Sequence, residues 1–182
     1  MFNTKLSFGF INDHCEKQIG RLRIQAWSKF TTINPHSASI KEGLWIDQMD
    51  KESFQWTIFD EHEKVCASCR LSIHNGSNLD KLPWKNHFPD SYKISKDYVY
   101  ASLNRLIVRH DYRGKGISQI MDEARISFVK KITNVDYIIA QPTSKKRVQQ
   151  FLNRGFELLG YMEPVEELPE VKFKLMHFGL NK

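Results

Sequence analysis

Arg113-Gly114-Lys115-Gly116-Ile117-Ser118 lies between an extended apolar run, Leu103–Val108, and an amphipathic helical pattern that opens at about Gly116. The first backbone N–H groups of a helix have no partner inside it and carry the positive end of the macrodipole. Glycines let such a backbone approach an anion with no Cβ in the way. Strand, glycine-bearing turn and helix start therefore read as an anion cradle. With the strands and second helix around it, the pattern points to a small α/β enzyme holding a phosphate-bearing ligand.

At 182 residues the chain is long enough to bury a core and is most simply one domain, 1–182, with an irregular insertion at about 79–95. Its hydrophobic fraction, 41%, is that of an ordinary soluble protein. A membrane-spanning helix needs a run of about 18 apolar residues; none is present, so no membrane is expected as a partner. Met1-Phe2-Asn3-Thr4-Lys5 lacks the basic and long apolar regions of an export signal. With only three cysteines, that predicts reduced thiols and a cytoplasmic location. The net charge of +6 suits a phosphorylated ligand, an acidic protein or nucleic acid. Nucleic acid is not expected, because no basic stripe is interleaved with aromatics.

Leu6–Ile11 reads as a first strand, and Asp13 as the cap of a helix running to about Phe30. A second, shorter helix is expected over Ser37–Met49. Trp56–Phe59 and Val65–Ile73 read as a hairpin around Asp60–Glu63. Leu79–Ser95, rich in Pro, Lys, Asn and aromatics, reads as an irregular insertion of a length that is often functional. Tyr98–Val108 is the next strand. Its polar positions Tyr98, Tyr100, Ser102 and Asn104 alternate with apolar ones, then the alternation fails at Leu106 and Val108, which marks a β-bulge near Arg105 or deeper burial. Ile117, Ile120, Met121, Ala124 and Phe128 form one helical face. Val135–Ala140 is a short strand. Thr143 or Ser144 caps a helix stopped by Gly155, and Phe156–Met162 and Val171–Phe178 are closing strands.

Val108-Arg109-His110-Asp111-Tyr112-Arg113-Gly114-Lys115-Gly116-Ile117-Ser118 resembles the acyl-CoA signature of the GCN5-related N-acetyltransferases, Arg/Gln-x-x-Gly-x-Gly/Ala, here Arg113-x-x-Gly116-x-Ser118. Phe151-Leu152-Asn153-Arg154-Gly155-Phe156 is similar to that family's helix-to-strand junction. The element order matches over nearly the whole chain, and the sharp motifs cover about Leu103–Tyr161. The resemblance implies an α/β (α+β) fold with a mixed, mainly antiparallel sheet flanked by helices, and it allows a homodimer through the C-terminal strands. It implies acetyl-CoA as acyl-donor cosubstrate, no metal, and a small-molecule or peptide amine as acceptor, acylated by direct attack. Arg113, Gly114, Lys115, Gly116, Ile117 and Ser118 would wrap the pyrophosphate. The edge of Leu106, Ile107 and Val108 would pair with the pantetheine arm, and the Val108 N–H would polarise the thioester carbonyl.

Ser118 replaces the usual Gly/Ala, and His110 stands where proline is frequent. Phe151 occupies the place where many members carry a tyrosine that protonates the leaving thiolate, and phenylalanine cannot donate a proton. Ser102-Leu103-Asn104-Arg105 is similar to the Glu-x-x-Arg segment of acyl-homoserine-lactone synthases, with Ser102 in place of the glutamate. That likeness implies an alternative donor, an acylated carrier protein; a non-catalytic acyl-CoA-binding module is a further alternative.

Asn104 and Ser102 are the candidates to orient the amine or relay its proton. Trp45, Trp84 and Tyr100, with Phe88 and Tyr92, are candidates for the acceptor pocket or for plain packing, whereas Trp27 reads as core. Lys146, in the basic start of a helix where the dipole disfavours it, is a candidate for the adenosine 3′-phosphate or a solvated face. His74, at a strand end, is a candidate base or a hydrogen-bonded histidine. Cys66 and Cys69 have metal-site spacing but lie in a strand, where residues three apart point to opposite faces, so two plain thiols are expected.

Overall fold

The computed structural model describes residues 3–132 and 134–180; the first two residues of the N-terminal stretch read above lie outside them. The elements run β1 (Asn3–Phe8), α1 (Asp13–Trp27), β2 (Ile40–Lys41), β3 (Leu44–Trp45), β4 (Phe54–Phe59), β5 (Val65–His74), β6 (Tyr100–Val108), α2 (Ile117–Lys130), β7 (Tyr137–Ala140), α3 (Lys145–Leu152), β8 (Glu157–Tyr161) and β9 (Lys174–Gly179). Seven strands form one sheet in the order β1-β4-β5-β6-β7-β9-β8. Only the β6–β7 pair is parallel. The expected mixed, mainly antiparallel sheet flanked by helices is present. Among the described residues no helix is long and apolar enough to cross a membrane.

Strand periodicity divides the sheet into an apolar and a polar face. Leu71 lies opposite Leu103 and Ile73 opposite Ala101, whereas Arg70 lies opposite Asn104, Ser72 opposite Ser102 and His74 opposite Tyr100. The apolar side packs against Ile117, Met121 and Val129 of α2 and Val148 and Phe151 of α3. On the polar side, Arg23 of α1 reaches across to Asp50.

The alternation fails at Arg105 because β6 carries one extra residue there. Ser68 opposes Ile107 and Arg70 opposes Asn104, so one residue of β5 faces two of β6. Arg105 takes a left-handed φ of 54°. A bulge resets the two-residue phase. Leu103 packs in the α2 core before it and Leu106 and Val108 after it, while Ile107 turns to the α1 side.

The expected helix over Ser37–Met49 is absent. That segment is the β2–β3 hairpin, turned at Glu42 (φ 52°) and Gly43 (φ 71°), followed by a 3₁₀ turn, Gln48–Asp50, capped reciprocally by Asp47 and Asp50. Two consecutive left-handed residues cannot continue a helix, and the Asp47/Asp50 pair supplies a fresh start. Boundaries move elsewhere: β1 ends at Phe8, before Gly9 (φ 70°); Asn12 rather than Asp13 caps α1, which ends at Trp27; and Ser144 caps α3. The insertion at 79–95 is irregular apart from two 3₁₀ turns, Leu79–Lys81 and Lys85–His87.

Leu71 is fully buried at the centre of the apolar face. Leu71→Ala is expected to cost about 3 kcal/mol through lost burial and an unfilled cavity, read from urea unfolding midpoints.

Candidate functional site

β6 and β7 pair only over Tyr100–Leu103 and Tyr137–Ala140. Beyond that, β6 runs on to Val108 beside β5 alone, and its other edge is left open. The Arg109 N–H donates to the Cys66 carbonyl at 2.8 Å, toward β5. Backbone groups alternate direction along a strand, so the Val108 N–H points the other way, into the gap. The Val108 carbonyl points there too and accepts from Arg113 Nε at 3.2 Å.

The turn at the mouth of this gap ends in two left-handed glycines, Gly114 (φ 79°) and Gly116 (φ 74°). A Cβ built on either would meet nothing within 4 Å, so the backbone there faces open space. Gly116 is the N-cap of α2 and offers no side chain to its first N–H groups. Ile117 and Ser118 are the first helical residues, with N–H groups that the helix itself cannot satisfy. The 14-residue helix behind them adds its positive dipole end. Gly114, Lys115 and Gly116 are exposed, Ser118 is half-buried and Ile117 anchors the turn in the core. Exposed N–H groups at the start of a helix are suited to an anion.

A cavity of about 410 Å³ lies on the polar side of the bulge, lined among others by Asn104, Arg105, Asp47, Trp84 and Glu167. Its floor is a buried charge network. Asp50 receives both terminal nitrogens of Arg23, at 2.6 and 2.8 Å, and lies 3.0 Å from Arg70. Arg70 also donates to Asp47 and to Oδ1 of the Asn104 side chain. Arg105 contacts Asp47 at 2.8 Å and Glu167 at 3.5 Å, and its guanidinium lies 4.6 Å from the Trp45 ring and 5.9 Å from Trp84. Burial alone would raise Asp50, but Arg23 and Arg70 hold it far below the carboxylate range. Asp47 is lowered in the same way, with Arg70 and Arg105 outweighing burial. Burial pushes Arg105 down against the pull of Asp47.

Below Asn104 the network continues into neutral groups. Its amide donates to Ser102 Oγ at 3.1 Å and Ser72 Oγ at 3.3 Å. Ser72 in turn meets His74 Nε2 at 2.8 Å. Burial pushes His74 down to about 4.

The sequence candidates divide into three groups. Leu106, Ile107 and Val108 border the gap, and Arg113 to Ser118 form the turn at its mouth. Asn104 and Trp84 line the cavity, while Trp45 is buried beneath Arg105 and Ser102 lies under Asn104. Tyr100 lies apart, buried, accepting from the Ser95 N–H at 3.0 Å and stacked on Tyr137. Lys146 is exposed at the start of α3, and its neighbour Arg147 turns inward to Asp122 and the Phe151 ring. Phe151 is buried against Phe156. Cys66 and Cys69 are buried free thiols. Arg23, Asp47, Asp50, Arg70 and Glu167 were not singled out from the sequence. A signal existed for Arg70, a charge inside a strand that is otherwise uncharged up to His74.

Asp50→Asn leaves Arg23 and Arg70 buried with too little negative charge. It is expected to cost about 3–5 kcal/mol in urea unfolding. His74 gives a separate pH effect. Between pH 6.5 and about 4 the unfolded histidine gains a proton that the folded one refuses, so stability falls as pH falls. The full effect is about 3 kcal/mol, and His74→Gln is expected to flatten the pH dependence of stability over that window.

Neither the known family models nor the curated protein sequences include a match to this chain. Solved structures do match. The acyl-homoserine-lactone synthase LasI superposes with a TM-score of 0.66 at 13% identity, covering 100% of this chain and 92% of LasI. NAA60 from Arabidopsis thaliana, in complex with a bisubstrate analogue, gives 0.61 at 10% identity over 98% of this chain and 99% of its own. An acyl-CoA N-acyltransferase from Pseudomonas aeruginosa gives 0.62 at 11% over 97% and 99%. With its open β6 edge and glycine turn, the chain has the fold shared by GNAT acetyltransferases and acyl-homoserine-lactone synthases.

Proposed function

We propose that this chain is an N-acyltransferase that moves an acetyl or other short acyl group from coenzyme A to an amine held in the cavity beside Arg105. What supports it most is the meeting, at one end of β6, of a glycine cradle, an unpaired strand edge with the Val108 N–H aimed into the gap, and a charged cavity. The backbone amides of Gly114–Ser118 take the pyrophosphate, and the edge of Leu106–Val108 pairs with the pantetheine arm. The Val108 N–H donates to the thioester oxygen as negative charge develops there, a contribution of about 3 kcal/mol for one fixed donor. The amine nitrogen attacks the carbonyl carbon, the C–N bond forms and the C–S bond breaks. Coenzyme A leaves as the thiolate, and the proton shed by the nitrogen ends on sulfur. Phe151 takes no part in that transfer, having no proton to give. Holding the two substrates in line supplies much of the acceleration. Asn104 forms part of the cavity wall and Ser102 fixes its amide. We place the enzyme in the cytoplasm.

A second reading takes the acyl group from an acylated carrier protein. It draws on the likeness to LasI and on Arg105, which falls on the arginine of the Glu-x-x-Arg segment. Calorimetric titration with acetyl-CoA, desulfo-CoA and a long-chain acyl-CoA tests both. Micromolar binding of acetyl-CoA is expected, with thiol release once an amine is added. Binding of the long-chain ester alone would favour the second reading, and binding of none would overturn the first. Gly116→Glu puts a carboxylate where the pyrophosphate would lie; it is expected to abolish acetyl-CoA binding while the circular dichroism spectrum is unchanged.

A further inference from the structure

Arg105 is 8% exposed and borders the cavity, yet only its Nη2 meets protein acceptors, Asp47 and Glu167. Its Nε and Nη1 have no acceptor among the described residues. Its neighbours have more acceptors: Arg23 binds both Asp50 oxygens and the Trp45 carbonyl, leaving only Nε unpaired, and Arg70 binds Asp47, Asp50 and Asn104. Buried guanidinium groups normally have their donors taken, since an uncompensated charge is costly. The two guanidinium groups sit in unlike electrostatic surroundings. Burial disfavours both charged forms, but Asp50 and Asp47 raise Arg70, whereas Arg105 stays lowered, with Arg70 and Arg23 opposing it. The cavity is short of negative charge at Arg105.

Glu167 supplies little of it. Its contact with Arg105 is long, at 3.5 Å, and its oxygens are shared with Ser39 Oγ at 3.0 Å and Trp84 Nε1 at 3.3 Å. Met49, Pro83 and Trp84 give the same cavity apolar walls. An amine must be neutral to attack a thioester. An α-amino acid with a neutral amine carries one negative charge, on its carboxylate.

We propose that the acceptor is an α-amino acid with an apolar or aromatic side chain, its carboxylate bound by an unpartnered donor of Arg105 and its side chain against Trp84. Glu167, 3.5 Å from Nη2, sets a second carboxylate beside that place, and its charge opposes the substrate's. The assignment rests on the N-acyltransferase reading for the fate of the amine, but the carboxylate site is testable without it.

Titration of the wild-type protein, with and without saturating desulfo-CoA, compares L-phenylalanine with phenethylamine and L-leucine with isopentylamine. Each amino acid is expected to bind at least tenfold more tightly than the amine that lacks its carboxylate, and Arg105→Gln to erase the difference. Glu167→Gln keeps an oxygen for Ser39 and removes the competing charge; it is expected to raise amino-acid affinity several-fold, and it decides the matter if Arg105→Gln does not fold. Equal affinity within each pair, no binding of either amino acid, or unchanged affinity in Glu167→Gln overturns the proposal. Thiol release from acetyl-CoA separates the two ideas. Acylation of phenethylamine as fast as of phenylalanine sinks the amino-acid acceptor and leaves the N-acyltransferase standing. Tight, Arg105-dependent amino-acid binding with no transfer from any donor does the reverse.

Discussion

One extra residue in β6 sets the geometry of everything around the site. A left-handed non-glycine residue costs on the order of 1–3 kcal/mol and persists only where its surroundings hold it. Arg105 is held by Asp47, by Glu167 and by the ring of Trp45. The bulge turns Leu106 and Val108 to the apolar side on which Leu103 already packs. Beyond the point where β7 ends, β6 therefore still has a core to lie on while its outer edge is free.

Asp50 is the hub of the polar half. It binds Arg23 from α1 and Arg70 from β5, and its backbone carbonyl and carboxylate also accept from Gln55 of β4. One carboxylate thus joins a helix to two strands of the sheet. Such buried pairs add little net stability compared with apolar packing. Here they fix direction: Arg23 and Arg70 can satisfy Asp50 in few arrangements, and this sets α1 relative to the strands that form the cavity floor.

The sheet, the donor-side turn and the helix after it were legible because each is local. Glycines at 114 and 116, the periodic face of α2 and the broken alternation at Leu106 are short-range patterns. The segment Ser37–Met49 misled because its apolar spacing also suits a helix, and only the Glu42–Gly43 turn and the Asp47/Asp50 cap decide against one. The charge network was hidden for a different reason. Arg23, Asp50 and Glu167 are far apart along the chain, and nothing in their local surroundings distinguishes a buried ion pair from a solvated charge; only Arg70 and Arg105, charges inside strand patterns, carried a local signal. Tyr100 was drawn toward the cavity because it shares a strand face with Asn104. The stack with Tyr137 instead packs it into the second core cluster.

The two halves of the site are encoded in unlike ways. The glycine turn is six consecutive residues hung on one helix, whereas the cavity wall is collected from Ser39, Asp47, Trp84, Arg105, Glu167 and others far apart in the chain. Arg70, Asn104 and Arg105 bring β5 and β6 to the cavity, and its other lining residues belong to connecting segments rather than to sheet or long helix. Replacements there can reshape the cavity without disturbing the turn, although the same segments also supply buried side chains, Leu82, Phe88, Val165 and Leu168 among them, to the second core cluster. The two parts can thus vary independently. A chain 10–13% identical to LasI and NAA60 shares their fold, and a cavity gathered from scattered positions is the part of the site that such divergence can alter one residue at a time.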